Sequence, residues 1–268
     1  MKKKSIYLSN LSWNKRDLNN IINILKENNI TGIDCAPLQI SNNWIKIENK
    51  IKNYSKILKK KKIKINAVQG IFYKKKFNIF KDYKNSSNIT KHIKKIINLC
   101  KILNCKKIIL GSSYFRDKKE LTNNDADKIF KNFLKQTIPV LKKNKITLCL
   151  EAIPKQYNEN YLYNFDHLVD LVNFMKSSWI KINFDTSLFH YKPFNLKKLK
   201  ENLHLIGNFQ ISQKKFKYFT KPSKNNLLFL KYFKNNKMLK SLSLEIISND
   251  TNLKKINLSL KNLTKLIN

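Results

Sequence analysis

Short apolar runs of strand length alternate along this chain with longer lysine-rich segments in which apolar residues recur every three or four positions. The runs are SIYLSN (5–10), GIDCAP (32–37), IKINAVQG (63–70), KKIILGS (106–112), ITLCLEA (146–152), WIKINFDT (179–186), LIGNFQIS (205–212) and LSLEII (242–247). Their length and their Ile, Leu and Val content predict eight strands. Between them, DLNNIINILKENN (17–29) sets Leu18, Ile21, Ile22 and Leu25 on one helical stripe, and NITKHIKKIINLCKILN (88–104) does the same with Ile89, Ile93, Ile96, Ile97 and Cys100. NNDADKIFKNFLKQTIPVLKKN (123–144) opens with acidic residues, which suit a helix N-terminus. Similar patterns cover 44–58, 165–175, 226–233 and 253–267, with a short one at 195–202.

Strand and helix thus alternate eight times over 268 residues, with no linker or composition break. That count and length predict a (β/α)8 TIM barrel, one domain over residues 1–268. A doubly wound open sheet would usually carry a glycine-rich phosphate turn after its first strand. Here that strand runs into SNLSW, and the chain has only four glycines.

Composition changes this picture little. The net charge of +38 by itself points toward nucleic acid or an anionic membrane. Yet Arg16 and Arg116 are the only arginines, whereas phosphate and base readers favour the bidentate guanidinium. Lys, Asn and Ile, all abundant, share AT-rich codons, so coding bias explains the lysines as solvated helix faces, and no nucleic-acid partner is expected. No apolar run reaches the roughly 20 residues of a membrane span, and the short, Asn-interrupted apolar part of the N-terminus does not read as a signal peptide. Cys35, Cys100, Cys105 and Cys149 lie in apolar surroundings without CxxC spacing, as buried free thiols in a reducing cytoplasm would.

The active site of such a barrel lies at the C-terminal ends of its strands. There LCLE, INFD, GNFQ and LSLE present Glu151, Asp185, Gln210 and Glu245 on strands five to eight. Gathering three carboxylates in a buried mouth is costly unless something neutralises them, and a divalent cation is the simplest answer. Oxygen donors suit Mn²⁺ or Mg²⁺, and one imidazole would widen the choice to Co²⁺ or zinc.

In order, SNLSW, GIDCAP, VQGIFY, ILGSSYFR, CLEAIPKQYNENYL, FDTS, LIGNFQIS and LSLEII resemble the sugar phosphate isomerase/epimerase family, the xylose isomerase-like barrels that include ketose 3-epimerases. The resemblance covers nearly the whole chain. It implies one divalent metal (Mn²⁺, Mg²⁺ or Co²⁺) held by Glu151, Asp185, Gln210 and Glu245, with Gln210 standing where the family has histidine. An amide oxygen still binds a hard cation, but more weakly. Gln213 and Ile153 depart from the family's usual Glu and Asn.

The implied chemistry is proton transfer at a carbon next to a carbonyl, through an enediolate. Glu151 and Glu245 would be the paired catalytic acid and base, and Asp185 a ligand only. Trp13, Gln69, Arg116 and His190 are candidate substrate-binding residues: an apolar wall, a hydroxyl partner, an anion partner and a hydrogen-bonding imidazole. The partner would be a sugar or sugar phosphate, the setting carbohydrate metabolism in the cytoplasm, and a homodimer is compatible with related barrels. Two other readings compete. A degenerate, non-catalytic barrel could serve as a binding protein. An AP-endonuclease-like repair enzyme would need a histidine-rich trinuclear zinc centre that these strand ends lack.

Overall fold

Eight parallel strands close into a barrel in the computed structural model, which describes residues 4–267. The strands are β1 (Ser5–Ser9), β2 (Gly32–Cys35), β3 (Lys64–Val68), β4 (Lys107–Leu110), β5 (Thr147–Glu151), β6 (Ile180–Asp185), β7 (Ile206–Ser212) and β8 (Ser241–Glu245). Each pairs with its sequence neighbours, and β8 closes on β1 with Ile6 opposite Leu242. The predicted fold is therefore the one observed, with each strand inside its quoted run except β8, which begins one residue earlier.

The helices are α1 (Leu18–Glu27), α2 (Ile47–Lys60), the single turn α3 (Ile79–Asp82), α4 (Ser87–Ile102), α5 (Asn123–Asn144), α6 (Phe165–Met175), α7 (Leu196–Glu201), α8 (Lys224–Asn235) and α9 (Leu253–Ile267). Only α3 was absent from the periodicity, because one turn is too short to show a stripe; the Asn78 side chain caps it. Side-chain caps start four of the longer segments: Thr122 for α5, Asn164 for α6, Asn195 for α7 and Ser223 for α8. At the other ends a chain this poor in glycine uses Asn and Lys instead. Asn29, Lys62, Asn104, Lys145 and Lys176 all take positive φ just past a helix, each at a cost of about 1 kcal/mol relative to glycine.

The apolar core lies between strands and helices, where the outward-facing strand residues meet the helix stripes. Inside the barrel the alternate residues are largely polar. A small apolar patch of Ala67, Ile109 and Cys149 sits there, beside buried Asp34, Asn66, Asn183, Asn208, Gln210 and Ser243. These side chains satisfy one another. Asn66 Nδ2 donates to Asp34 Oδ1 at 2.7 Å and Lys107 Nζ to Asn208 Oδ1 at 2.8 Å, while Asn208 Nδ2 donates to Asn183 Oδ1 at 2.8 Å. Burial raises the Asp34 pKa, opposed by hydrogen bonds from Ser243 and Asn66, the nearby Lys107 charge and a hydrogen bond from Gln210. All four cysteines are buried and free. Among the described residues no helix is long and apolar enough to cross a membrane.

Candidate metal centre

Glu151, Asp185 and Glu245 are the last residues of β5, β6 and β8, so closing the barrel brings them to one end of it. One carboxylate oxygen from each lies within 4.8 Å of the others, and all three residues are less than 9 % exposed. Room for Glu151 depends on Gly111, just after β4: a Cβ there would lie 2.3 Å from Glu151 Oε2. Asp185 is held by one oxygen only. Its Oδ1 accepts from Ser212 Oγ at 2.7 Å and from the Ser187 N–H at 2.6 Å, while buried Oδ2 has no hydrogen-bond partner.

Three crowded acids must be neutralised or protonated. Without a cation, burial and then the Asp185 charge push the Glu151 pKa up to about 8, with Arg116 and an Asn183 hydrogen bond opposing. Burial, then the charges of Asp185 and Glu151, hold Glu245 well above the usual carboxylate range. An unpartnered carboxylate oxygen beside two glutamates whose pKa values are raised, all hard donors, fits a divalent cation.

The carboxylates of Glu151 and Glu245 line a cleft of about 260 Å³ together with Gln69. Its apolar wall comes from Leu11, Ile109, Ile153, Phe216 and Ile247. A larger hollow of about 560 Å³ lies at the opposite end of the barrel, among Lys26, Lys60, Lys61 and Lys62. Those lysines sit at the C-terminal ends of α1 and α2, where they complement the helix dipoles, and no acid lines that hollow. Two of the three clustered carboxylates, Glu151 and Glu245, line the smaller cleft.

The other sequence-predicted residues fall in different places. Gln69 is at the mouth, donating to Ser9 Oγ at 2.7 Å and to Glu245 Oε1 at 3.2 Å. Gln210 is fully buried. Its Oε1 accepts from Asn183 Nδ2 at 2.6 Å, and its Nε2 donates to Gln69 Oε1 at 2.9 Å and Asp34 Oδ2 at 3.2 Å. Arg116 does not face the cleft. It is fully buried, paired with Glu159 at 2.8 Å, and donates to the carbonyls of Glu151 at 2.7 Å and Leu110 at 3.4 Å. A guanidinium so enclosed ties the ends of β4 and β5 together and leaves no face for an anionic substrate. Trp13 is packed in the core rather than along the cleft. His190, at the end of the turn that follows Asp185, donates from Nε2–H to the Ser212 carbonyl, 2.7 Å away.

Sequence reasoning missed the cover of the site. Lys215 and Phe216 both adopt positive φ, 59° and 52°, a strained pair at the edge of the cleft. The Lys215 N–H donates to Tyr157 Oη at 2.8 Å and the Ile247 N–H to the Phe216 carbonyl at 3.0 Å, which turns Phe216 toward the carboxylates. Nothing in QKKFK signals this, because the strain is imposed by neighbours on β5 and β8 loops.

The chain belongs to the xylose isomerase-like TIM barrel family, whose model matches residues 22–226. Among solved structures, the 3-keto-D-glucoside 4-epimerase YcjR from E. coli shares 14% identity at a TM-score of 0.76, over 98% of this chain and 100% of that one. A family 2 AP endonuclease from Brucella melitensis shares 10% identity at a TM-score of 0.75, over 94% and 96%. A sugar phosphate isomerase/epimerase from Parabacteroides distasonis shares 13% identity at a TM-score of 0.74, over 100% and 96%. At these identities the likeness is one of fold. No curated protein sequence matches the chain.

Proposed function

We propose that the protein is a metal-dependent isomerase or epimerase that moves a proton next to the carbonyl of a sugar or sugar phosphate, through an enediolate. The observation that carries this reading is the trio Glu151, Asp185 and Glu245, buried with ligand atoms within 4.8 Å and one Asp185 oxygen unpartnered. These three residues would hold the cation, and the all-oxygen set favours Mn²⁺ or Mg²⁺ over Co²⁺. When bound, the cation supplies Lewis-acid polarisation of the substrate carbonyl. Glu151 and Glu245 both line the cleft, so one carboxylate takes the C–H proton while the other returns a proton to the opposite face of the carbon. Phe216, Ile153 and Ile247 exclude water beside them. Gln69 orients Glu245 and presents its amide to the cleft.

The neighbouring sugar epimerase and sugar phosphate isomerase/epimerase folds support this reading. An endonuclease chemistry resting on several zinc ions is less well supported. Among the described residues the one His/Cys/Asp/Glu cluster able to hold a metal is this carboxylate trio. The test is calorimetric titration with Mn²⁺, followed by NMR of a panel of ketoses in D₂O. One ion per chain, with metal-dependent deuterium exchange at a carbon next to the carbonyl, is expected. No binding at millimolar Mn²⁺ and no exchange would leave the degenerate, non-catalytic barrel as the better account.

A further inference from the structure

The amide of Gln210 is committed on both sides. A glutamine side chain offers two N–H donors and a carbonyl with two lone pairs. Here both donors are used, toward Gln69 Oε1 at 2.9 Å and Asp34 Oδ2 at 3.2 Å, and the carbonyl accepts from Asn183 Nδ2 at 2.6 Å. The partners stand on three other strands or strand ends. Gln69 follows β3 and donates onward to Glu245 Oε1 at 3.2 Å. Asn183 is paired in register with Glu151 across β5 and β6, and its amide also favours the ionised form of Glu151. Asp34 on β2 is fixed from its other oxygen by Asn66 at 2.7 Å. The same chain runs down the barrel from Asn183 to Asn208 and on to Lys107.

We infer that Gln210 is a positioning residue rather than a metal ligand: it joins Asn183, beside Glu151, to Gln69, which holds Glu245, and so sets the spacing of the two glutamates. A neutral imidazole offers one donor and one acceptor and could not serve all three partners. A glutamine here therefore answers the needs of a polar barrel interior, with Asp34 as the group that must be supplied with a donor. The inference rests on the proposed metal reading only for what the two glutamates are held ready to bind.

The test begins with crystals of the unaltered protein, with and without Mn²⁺. The Gln210 carbonyl is expected to stay on Asn183 and outside the coordination sphere. A Gln210 Oε1–Mn²⁺ bond would overturn the inference. Calorimetry with Mn²⁺ alone follows for Gln69→Met, Gln210→Met, the double variant and Gln210→His. Each methionine variant is expected to bind roughly tenfold more weakly, the range for groups that orient ligands. The double variant should be no weaker than either single one, because both cut the same chain. Gln210→His should bind no more tightly than the natural protein, and bound Mn²⁺ should show no directly coordinated nitrogen in pulsed EPR. Tighter binding through the new imidazole, or Gln69→Met with unchanged affinity beside a dead Gln210→Met, would overturn it. Should Gln210→Met not fold, the Mn²⁺ crystal and Gln69→Met still decide the matter. If no Mn²⁺ binds at all, the metal reading falls separately. The positioning role is then judged from the Gln69→Met crystal, where a displaced Glu245 carboxylate supports it and an unmoved one refutes it.

Discussion

Raising the pH of the metal-free protein from 6.5 to 8 is expected to weaken its fold by on the order of 1–2 kcal/mol. Glu151 titrates near 4.5 in the unfolded chain and at about 8 in the folded one. Between those values the folded state holds a proton that the unfolded state has lost, so stability falls with rising pH by about 1.4 kcal/mol per unit. His92 works the other way at lower pH. Burial among Trp44, Phe72 and Phe77 lowers its pKa from 6.5 to about 4, so stability climbs through that interval and cancels most of the Glu151 loss. Above pH 6.5 the histidine contribution is nearly complete and the carboxylate slope outweighs what is left of it, with Glu245 adding in the same direction. Urea denaturation in EDTA, followed by fluorescence of Trp13, Trp44 and Trp179, measures the effect at half-unit steps. Saturating Mn²⁺ should abolish or reverse the slope, since a cation competes with the proton for the ionised carboxylates. A metal-free stability that stays level or rises from pH 6.5 to 8 would refute the claim that these acids are crowded and buried in solution.

Further consequences follow from the same geometry. Asp185→Asn removes the charge whose Oδ2 lacks a partner; it should stabilise the metal-free protein at pH 8 while lowering Mn²⁺ affinity at least tenfold by calorimetry. Gly111→Ala puts a methyl 2.3 Å from Glu151 Oε2. It should weaken Mn²⁺ binding by pushing that carboxylate aside, with a stability cost of about 1–3 kcal/mol. Arg116→Met leaves Glu159 buried and uncompensated and cuts the tie to the Glu151 carbonyl; a loss of about 3–5 kcal/mol is expected in urea denaturation, and a loss below 1 kcal/mol would show that the pair is dispensable.

The barrel was legible because its signals are local. Strand runs such as ITLCLEA and helix stripes such as 253–267 depend only on near neighbours, and the observed β5 and α9 match them. The ends of β5, β6 and β8 also follow from sequence, since barrel closure puts Glu151, Asp185 and Glu245 at one mouth whatever the details of packing. Other residues were opaque for identifiable reasons. Arg116 looked like an anion partner because nothing near it in sequence announces that Glu159 will meet it inside a loop 43 positions on. Phe216 carried no signal, since its positive φ comes from contacts to Tyr157 and Ile247 rather than from a glycine.

By itself, then, the sequence determined the order of elements, the closure into a parallel barrel and the strands that deliver three acids to its mouth. It also placed a glutamine at the seventh strand end, but not which way that amide is spent. Only the tertiary structure decided that, by setting Asp34, Gln69 and Asn183 from three other strands or strand ends around it. The division is physical: side-chain alternation along a strand is a short-range property that chain sterics impose. Hydrogen-bond partnership across a barrel depends on which distant residues share one small interior, where most buried donors and acceptors are matched.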